Sequence, residues 1–296
     1  MRNFPQEASI FPYAPACVLR ISGPDAATFL QGQFTNDLGK MTPGQPVYGL
    51  WLDRKGRVIA DSYVIALPGF ADFRVVSPGS AAVTVAKRLG DFIVADDVSI
   101  GDETAAWRGM ALVGPGTGEW LAAQPRPGFV FPGRRSSGEN WEWVYPEGES
   151  FAAGQAVDGV RTASPSEMER RRIGDGIPSV PGDIGPGEFP NEGGLDSVAI
   201  SYSKGCYLGQ EVMARLKTTG RVRRSLVRVR GAGPAPAVPA GLWLGGKRQG
   251  ELRSAAANPD GAGFDGLALL SVATDRGKDL SLAADGPPSV SCIGPL

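Results

Sequence analysis

Twelve residues combine a thiol, a cation, two glycines and a Gln-Glu pair: Lys204-Gly205-Cys206-Tyr207-Leu208-Gly209-Gln210-Glu211-Val212-Met213-Ala214-Arg215. A segment that only fills a core does not need that mixture. The thiolate is the reactive form of cysteine, and a nearby cation or helix N-terminus stabilises it. Gly209 predicts the start of a short helix through Leu216, with Glu211 and Arg215 paired at i,i+4. Cys206 then sits just before the positive end of that helix, with Lys204 beside it. The chemistry expected is that of a partly exposed, reactive thiol at a ligand site.

What the chain lacks narrows that chemistry further. Its 296 residues include no histidine. That removes Ser-His-Asp and Cys-His catalysis, histidine-ligated metals and a histidine base. Proton transfer must use a carboxylate, Lys, Tyr, Cys or the ligand itself. The other cysteines, Cys17 and Cys292, are far from Cys206, and no C-x-x-C pair occurs. One chain therefore supplies neither the four thiolates of an iron–sulfur cluster nor a soft zinc set, and no metal site is expected. The odd, sparse cysteine count fits a reducing compartment. Cys17, in Ala16-Cys17-Val18-Leu19, reads as a small buried hydrophobe.

Charge is almost balanced, 30 Lys+Arg against 31 Asp+Glu. It is unevenly placed: residues 204–230 carry eight basic residues (Lys204, Arg215, Lys217, Arg221, Arg223, Arg224, Arg228, Arg230) and one acid, Glu211. This basic face suits a small anionic ligand; equally, it reads as an edge strand whose arginines resist aggregation. The N-terminal residues hold no apolar signal core and no apolar run approaches a membrane span, so a cytoplasmic location is expected. No apolar stripe calls for a partner helix, and a monomer is expected.

The elements that must position these residues are short. The 42 glycines and 25 prolines imply many turns. Residues 17–22 read as a strand and Asp25–Phe34 as a helix. Tyr48–Asp53 and Arg57–Leu67 read as strands joined at Arg54-Lys55-Gly56, followed by a strand at Ala71–Val76. Ser77-Pro78 predicts a helix start, with Gly90 as its stop. A second unit is expected from about Asp102, with strands at Met110–Val113 and Trp141–Tyr145, a helical turn at Gly118–Ala123, and a loop over 124–140. Ser164-Pro165-Ser166-Glu167 is a capping box that opens a helix closed by Gly174. Residues 175–195 form a long irregular stretch, of the kind that is often functional. After Gly220 come strands at Arg224–Arg230, Leu242–Leu244, Gly250–Arg253 and Leu267–Ala273.

Lys204–Arg215 resembles the signature of the YgfZ-type folate-binding proteins, relatives of the aminomethyltransferase (T-protein) of the glycine cleavage system. Leu19-Arg20-Ile21-Ser22-Gly23-Pro24-Asp25, Phe29-Leu30-Gln31-Gly32-Gln33 and Thr35-Asn36-Asp37 resemble the family's opening block. Tyr48 through Val64, Gly176-Ile177-Pro178, Pro190-Asn191-Glu192 and Arg224 fall in register with it. Residues 15–80 and 165–230 match well; the rest matches in pattern only. The resemblance implies an α+β, three-lobed aminomethyltransferase-like ring around a folate pocket. Two interleaved α/β lobes would occupy residues 1–221, the second starting near 102, and a small C-terminal β-barrel residues 222–296.

The resemblance also implies roles. Glu192 takes the position of the glutamate that binds the pterin edge, Tyr48 that of a pocket tyrosine that stacks on the ligand, and Arg224 that of an arginine facing its anionic end. Lys204 and Arg215 are expected to add positive charge to the same site. The family's Asp-Asp pair reads Ala60-Asp61 here, so Asp61 is the matching catalytic carboxylate, and the loss of the first puts aminomethyl transfer in doubt. The implied protein binds tetrahydrofolate or a one-carbon-loaded folate and assists assembly or repair of iron–sulfur enzymes through Cys206, with client enzymes or assembly factors as partners. A folate-dependent aminomethyl or one-carbon transferase is the alternative. A non-enzymatic RNA-binding or scaffold protein using the basic face is a third reading, weakened by the absence of an aromatic stacking array.

Overall fold

The computed structural model describes residues 4–124, 127–149, 160–220 and 222–296. Three five-stranded sheets lie among them. The first sheet runs Pro46–Leu52, Val58–Ala66, Asp72–Ser77, Cys17–Ser22, Ser99–Asp102 from edge to edge, all antiparallel. Side chains alternate along a strand, and the sequence of Val58–Ala66 uses this. Ala60 and Val64 pack under the helices Ala26–Gln33 and Ala82–Gly90, with Phe29, Leu30, Val85 and Leu89. Tyr63 and Ile65 point the other way, onto Trp107, Phe131 and Val144 of the second sheet.

The second sheet runs Arg161–Thr162, Ser9–Tyr13, Trp107–Val113, Asn140–Pro146, Phe129–Pro132. Its strand Ser9–Tyr13 precedes the strands of the first sheet in the chain, yet pairs with Trp107–Val113, which follows them. The two lobes are therefore interleaved. The third sheet runs Ala240–Leu244, Lys247–Ala257, Gly263–Ser271, Arg224–Ala232, Val290–Pro295. Its two edges are linked through the segment at Leu280 and Ser281: Trp243 exchanges backbone hydrogen bonds with Ser281, and Leu280 does so with Val290. A third shared core, including Leu50, Leu52 and Val58 with Ile184, Leu195, Met213, Leu226 and Leu267, joins the first sheet to the third through residues 173–213.

The structure moves several sequence-based boundaries. The helix expected from Ser77-Pro78 begins only at Ala82. The Ser77 and Ser80 hydroxyls both donate to Asp61 Oδ1, at 3.0 and 2.7 Å, which keeps residues 77–81 in a turn. The loop expected over 124–140 contains the strand Phe129–Pro132, which is held by its pairing with Asn140–Pro146. Val290–Pro295 is a strand that the sequence did not reveal, because Gly294 and Pro295 read as breakers; as an edge strand it tolerates both. The expected capping box is half formed: Ser164 Oγ accepts from Glu167 N, whereas Glu167 accepts from Arg161. Arg221, at the expected domain boundary and in the basic stretch, lies outside the described residues. No helix among those described is long and apolar enough to cross a membrane.

In each sheet an aromatic ring rests on a glycine. Tyr13 covers Gly109, Phe34 covers Gly49, and Phe264 covers Gly231. A Cβ on Gly231 would lie 2.1 Å from Phe264 Cζ. Gly231→Ala is expected to lower unfolding stability by about 1–3 kcal/mol, read by urea denaturation. Gly90→Ala, with nothing within 4 Å of the added Cβ, is the control and leaves stability unchanged or higher.

Candidate functional site

A cavity of about 210 Å³ opens between the first sheet, the second sheet and the segment around Pro178–Val180. Asp61 and Tyr63 reach it from the face of Val58–Ala66 that looks away from the helices, and Tyr48 from the neighbouring strand. Asp61 is held by three hydroxyls from separate places in the fold. Ser77 and Ser80 donate to Oδ1, and Tyr48 OH donates to Oδ2 at 3.0 Å. Asp61 keeps some contact with the cavity, yet enclosure by protein pushes its carboxyl above the ordinary range. The hydroxyls of Ser80, Tyr48 and Ser77 and the charge of Arg134 pull it partly back. Ala60 is fully buried beneath the helices. The position at which the family's paired carboxylate is missing thus faces away from the cavity.

The second sheet and the helix Pro165–Gly174 supply charges that the sequence reading did not single out. Arg135 pairs with Glu142 at 2.6 Å, and Arg172 with Asp183 at 2.6 Å. Arg134 lies over the Tyr48 ring, 4.5 Å from its centroid. Tyr48, expected to stack on a ligand, therefore has one ring face covered by a guanidinium, and its hydroxyl is bound to Asp61. The only signal for these residues in the sequence was the Arg-Arg pair in a Gly/Ser-rich turn, and no local rule points such a pair at Tyr48, on a strand of another sheet.

The remaining candidate residues are not among those lining this cavity. Glu192, 4% exposed, holds Arg224 through two hydrogen bonds of 3.0 Å, and its Oε2 also accepts from Phe189 N. Arg224 reaches Glu188 as well, at 3.4 Å. The two residues expected to bind opposite ends of a folate thus bind each other. Lys204 is buried, and its ammonium donates to the carbonyls of Gln31, Phe34 and Asn36 at 2.6, 2.6 and 3.0 Å. These acceptors lie at the C-terminal end of the helix Ala26–Gln33, where carbonyls lack partners and a cation is favoured. Burial pulls the Lys204 ammonium down to about 8. The expected role of Lys204 beside the thiol becomes a clamp on the first lobe.

Cys206 is exposed, between buried Lys204 and buried Tyr207. The helix after it runs Gln210–Thr219, and Gly209 caps it at φ 87°, where a Cβ would press on Asp53 O and Gly56 at 3.1 Å. The motif is thereby docked on the Asp53–Arg57 turn. Glu211 and Arg215 are exposed on that helix, and no ion pair joins them among the described residues. The basic stretch does not form one face either: Arg230 pairs with Asp265, and Arg228 donates to the carbonyls of Pro295 and Gly174.

A family model, the GCVT N-terminal domain, matches residues 2–126. The mitochondrial iron-sulfur cluster assembly factor IBA57 of Mus musculus is 29% identical over 288 residues, covering 88% of this chain and 76% of that protein. The tRNA-modifying protein YgfZ of Klebsiella pneumoniae is 28% identical over 224 residues, covering 70% of this chain and 66% of that one. Among solved structures, the glycine cleavage system aminomethyltransferase T from Bartonella henselae superposes with a TM-score of 0.80 over 98% of this chain and 86% of its own, at 18% identity. The chain is thus similar to IBA57 and YgfZ proteins along most of its length, carries a GCVT-like N-terminal region and has the aminomethyltransferase fold. The chain shares the fold of that aminomethyltransferase, and its own described residues form a mixed α+β arrangement with three sheets.

Two measurements check the geometry. In the native protein Cys206, the exposed thiol, should react fastest with a disulfide reagent, and Cys206→Ser should remove that phase. Cys292, half-buried and with its thiol pushed up by burial, should react more slowly. Cys17, fully buried and pushed up to about 12, should react only after unfolding. The raised Asp61 carboxyl means that the folded state binds a proton at a pH where the unfolded chain has lost it. Its contribution to stability is full below the unfolded value of 3.8 and is lost as pH rises through the raised value. As pH rises above the unfolded value of 3.8, wild-type stability should fall relative to that of Asp61→Asn, as followed by denaturant unfolding.

Proposed function

We propose that this protein serves iron–sulfur cluster assembly, binding a reduced folate in the cavity at Asp61 and meeting its partners through Cys206. One observation carries the reading. On a single aminomethyltransferase fold, a hydroxyl-cradled carboxylate lines a cavity while a separate thiol is held outward by Lys204 and Tyr207. The similarity to the mouse iron-sulfur cluster assembly factor supports the direction of this reading.

The residues present fit a folate. A reduced pterin offers N–H donors and an aromatic body, and its glutamyl tail offers carboxylates. The cavity offers the Asp61 carboxylate, two tyrosine rings and a guanidinium. Tetrahydrofolate supplies nitrogens that carry one-carbon groups. Asp61 would accept a hydrogen bond from the bound ligand and, with its raised carboxyl, can hold or release a proton near it. Tyr48 keeps that carboxylate oriented. Cys206 stands outside the cavity, so reaction of the thiol with a partner does not require the folate to leave. A folate-dependent one-carbon transferase is the second reading, favoured by the presence of Asp61 at the cavity wall. The RNA-binding reading is weakened where arginines of the basic stretch are engaged internally, Arg230 with Asp265 and Arg224 with Glu192.

Calorimetric titration of the purified chain with tetrahydrofolate tests the pocket. Saturable binding is expected, weakened about tenfold or more in Asp61→Asn, the scale of one hydrogen bond to a charged group. Cys206→Ser should bind folate as wild type does, yet fail to restore iron–sulfur enzyme activity in cells lacking the protein. Absence of binding to any folate form, or full restoration by Cys206→Ser, would refute the reading. Transfer of a one-carbon unit from an aminomethyl donor, abolished in Asp61→Asn, would favour the transferase instead.

A further inference from the structure

Arg134 differs from the other charged groups around the cavity. Arg135 and Arg172 are each neutralised by a buried acid, Glu142 and Asp183 respectively. Asp61 is satisfied by three hydroxyls. Arg134 makes no hydrogen bond and no ion pair among the described residues, and its guanidinium lines the cavity over Tyr48. Its position is not that of a loose surface arginine. The turn that carries it is tied down by Ser136 Oγ and Ser137 N, both donating to Asp175 at 2.8 Å, and by Asn140, whose Nδ2 donates to the carbonyls of Ser136 and Gly138.

A second observation points to the same place. Tyr63 is only 5% exposed, lines the same cavity, and its hydroxyl is buried without a hydrogen-bond partner. A buried polar group left unpaired is costly and calls for a partner. An unpaired planar guanidinium and an unpaired hydroxyl facing one space form a receptor for an anionic, oxygen-bearing group, and a guanidinium fork matches a carboxylate in shape and charge. Because Arg134 already covers one face of Tyr48, a ligand ring cannot take that face, whereas an anion can approach the edge of the guanidinium.

We infer that Arg134, with Tyr63, receives a carboxylate of the cavity's ligand, and that in a reduced folate this is a carboxylate of the glutamyl tail. The inference rests on the folate reading above. It gives the cavity two polar poles, Asp61 for the N–H donors of the ligand and Arg134 for its negative charge, and so fixes the direction in which the ligand lies.

The test is calorimetric titration of the full chain with tetrahydrofolate and with its glutamyl dimethyl ester, which keeps the ring system and removes the two charges. Wild type should bind tetrahydrofolate about tenfold or more tightly than the ester, the scale of one charge-assisted hydrogen bond. Arg134→Ala should lose that preference, with tetrahydrofolate affinity falling to the level of the ester and ester affinity unchanged. Arg134→Lys should keep part of the preference, and Tyr63→Phe should reduce it by a smaller factor. Arg134→Ala should stay folded with a modestly lower unfolding midpoint, since it loses the contact with the Tyr48 ring but no internal hydrogen bond. Equal loss for both ligands in Arg134→Ala, or unchanged tetrahydrofolate affinity, overturns the inference while leaving the folate reading standing. If wild type binds neither ligand, the folate reading fails and this inference falls with it.

Discussion

A carboxylate enclosed by protein has to be surrounded by donors, and the arrangement around Asp61 follows from that requirement. The three hydroxyls that meet it come from the strand Pro46–Leu52, from the end of the strand Asp72–Ser77, and from the turn that follows. Satisfying Asp61 delays the next helix to Ala82 and orients Tyr48. It also leaves the adjoining space lined by polar groups rather than filled by side chains. The strand Val58–Ala66 makes this possible by alternation: one face closes the core under two helices, and the other brings Asp61 and Tyr63 to the contact with the second sheet.

The cysteine motif follows a different logic. Lys204 and Tyr207 are buried and Cys206 between them is not. Burying a lysine is expensive unless its donors are met, and the three carbonyls at the end of the helix Ala26–Gln33 meet them. The lysine thus ties the third part of the chain to the first lobe, and the thiol is projected by the residues on either side of it. Gly209 completes the anchorage by allowing the helix start to approach the Asp53–Arg57 turn. The conspicuous cation of the motif is structural, and the exposed sulfur is what remains for chemistry.

Charge in this protein is mostly settled internally. Glu192 with Arg224, Glu142 with Arg135, and Asp183 with Arg172 are pairs in which a buried acid is matched by a guanidinium. Such pairs shape the walls between lobes but leave little net field. A basic stretch read along the chain becomes separate pairs once strands and turns distribute it. Arg134 stands out against that background because its neighbours are already matched.

The sequence by itself determined most of the first lobe, the N-cap of the helix Pro165–Gly174, and the exclusion of histidine chemistry. These rest on local rules: alternation, capping and turn residues act over a few positions and can be read in order. It also marked Cys206 by the residues around it, and Asp61, Tyr48 and the class of fold through a family resemblance. Only the tertiary structure decided that Asp61 and Tyr48 share a cavity with Arg134 and Tyr63, that Glu192 and Arg224 face each other, and that Lys204 caps a helix more than 160 positions away in the chain, as its bonds to Gln31, Phe34 and Asn36 require. The physical reason is that a charge takes the nearest available partner in space. Which partner is nearest depends on how three sheets pack, and no spacing within one segment records it.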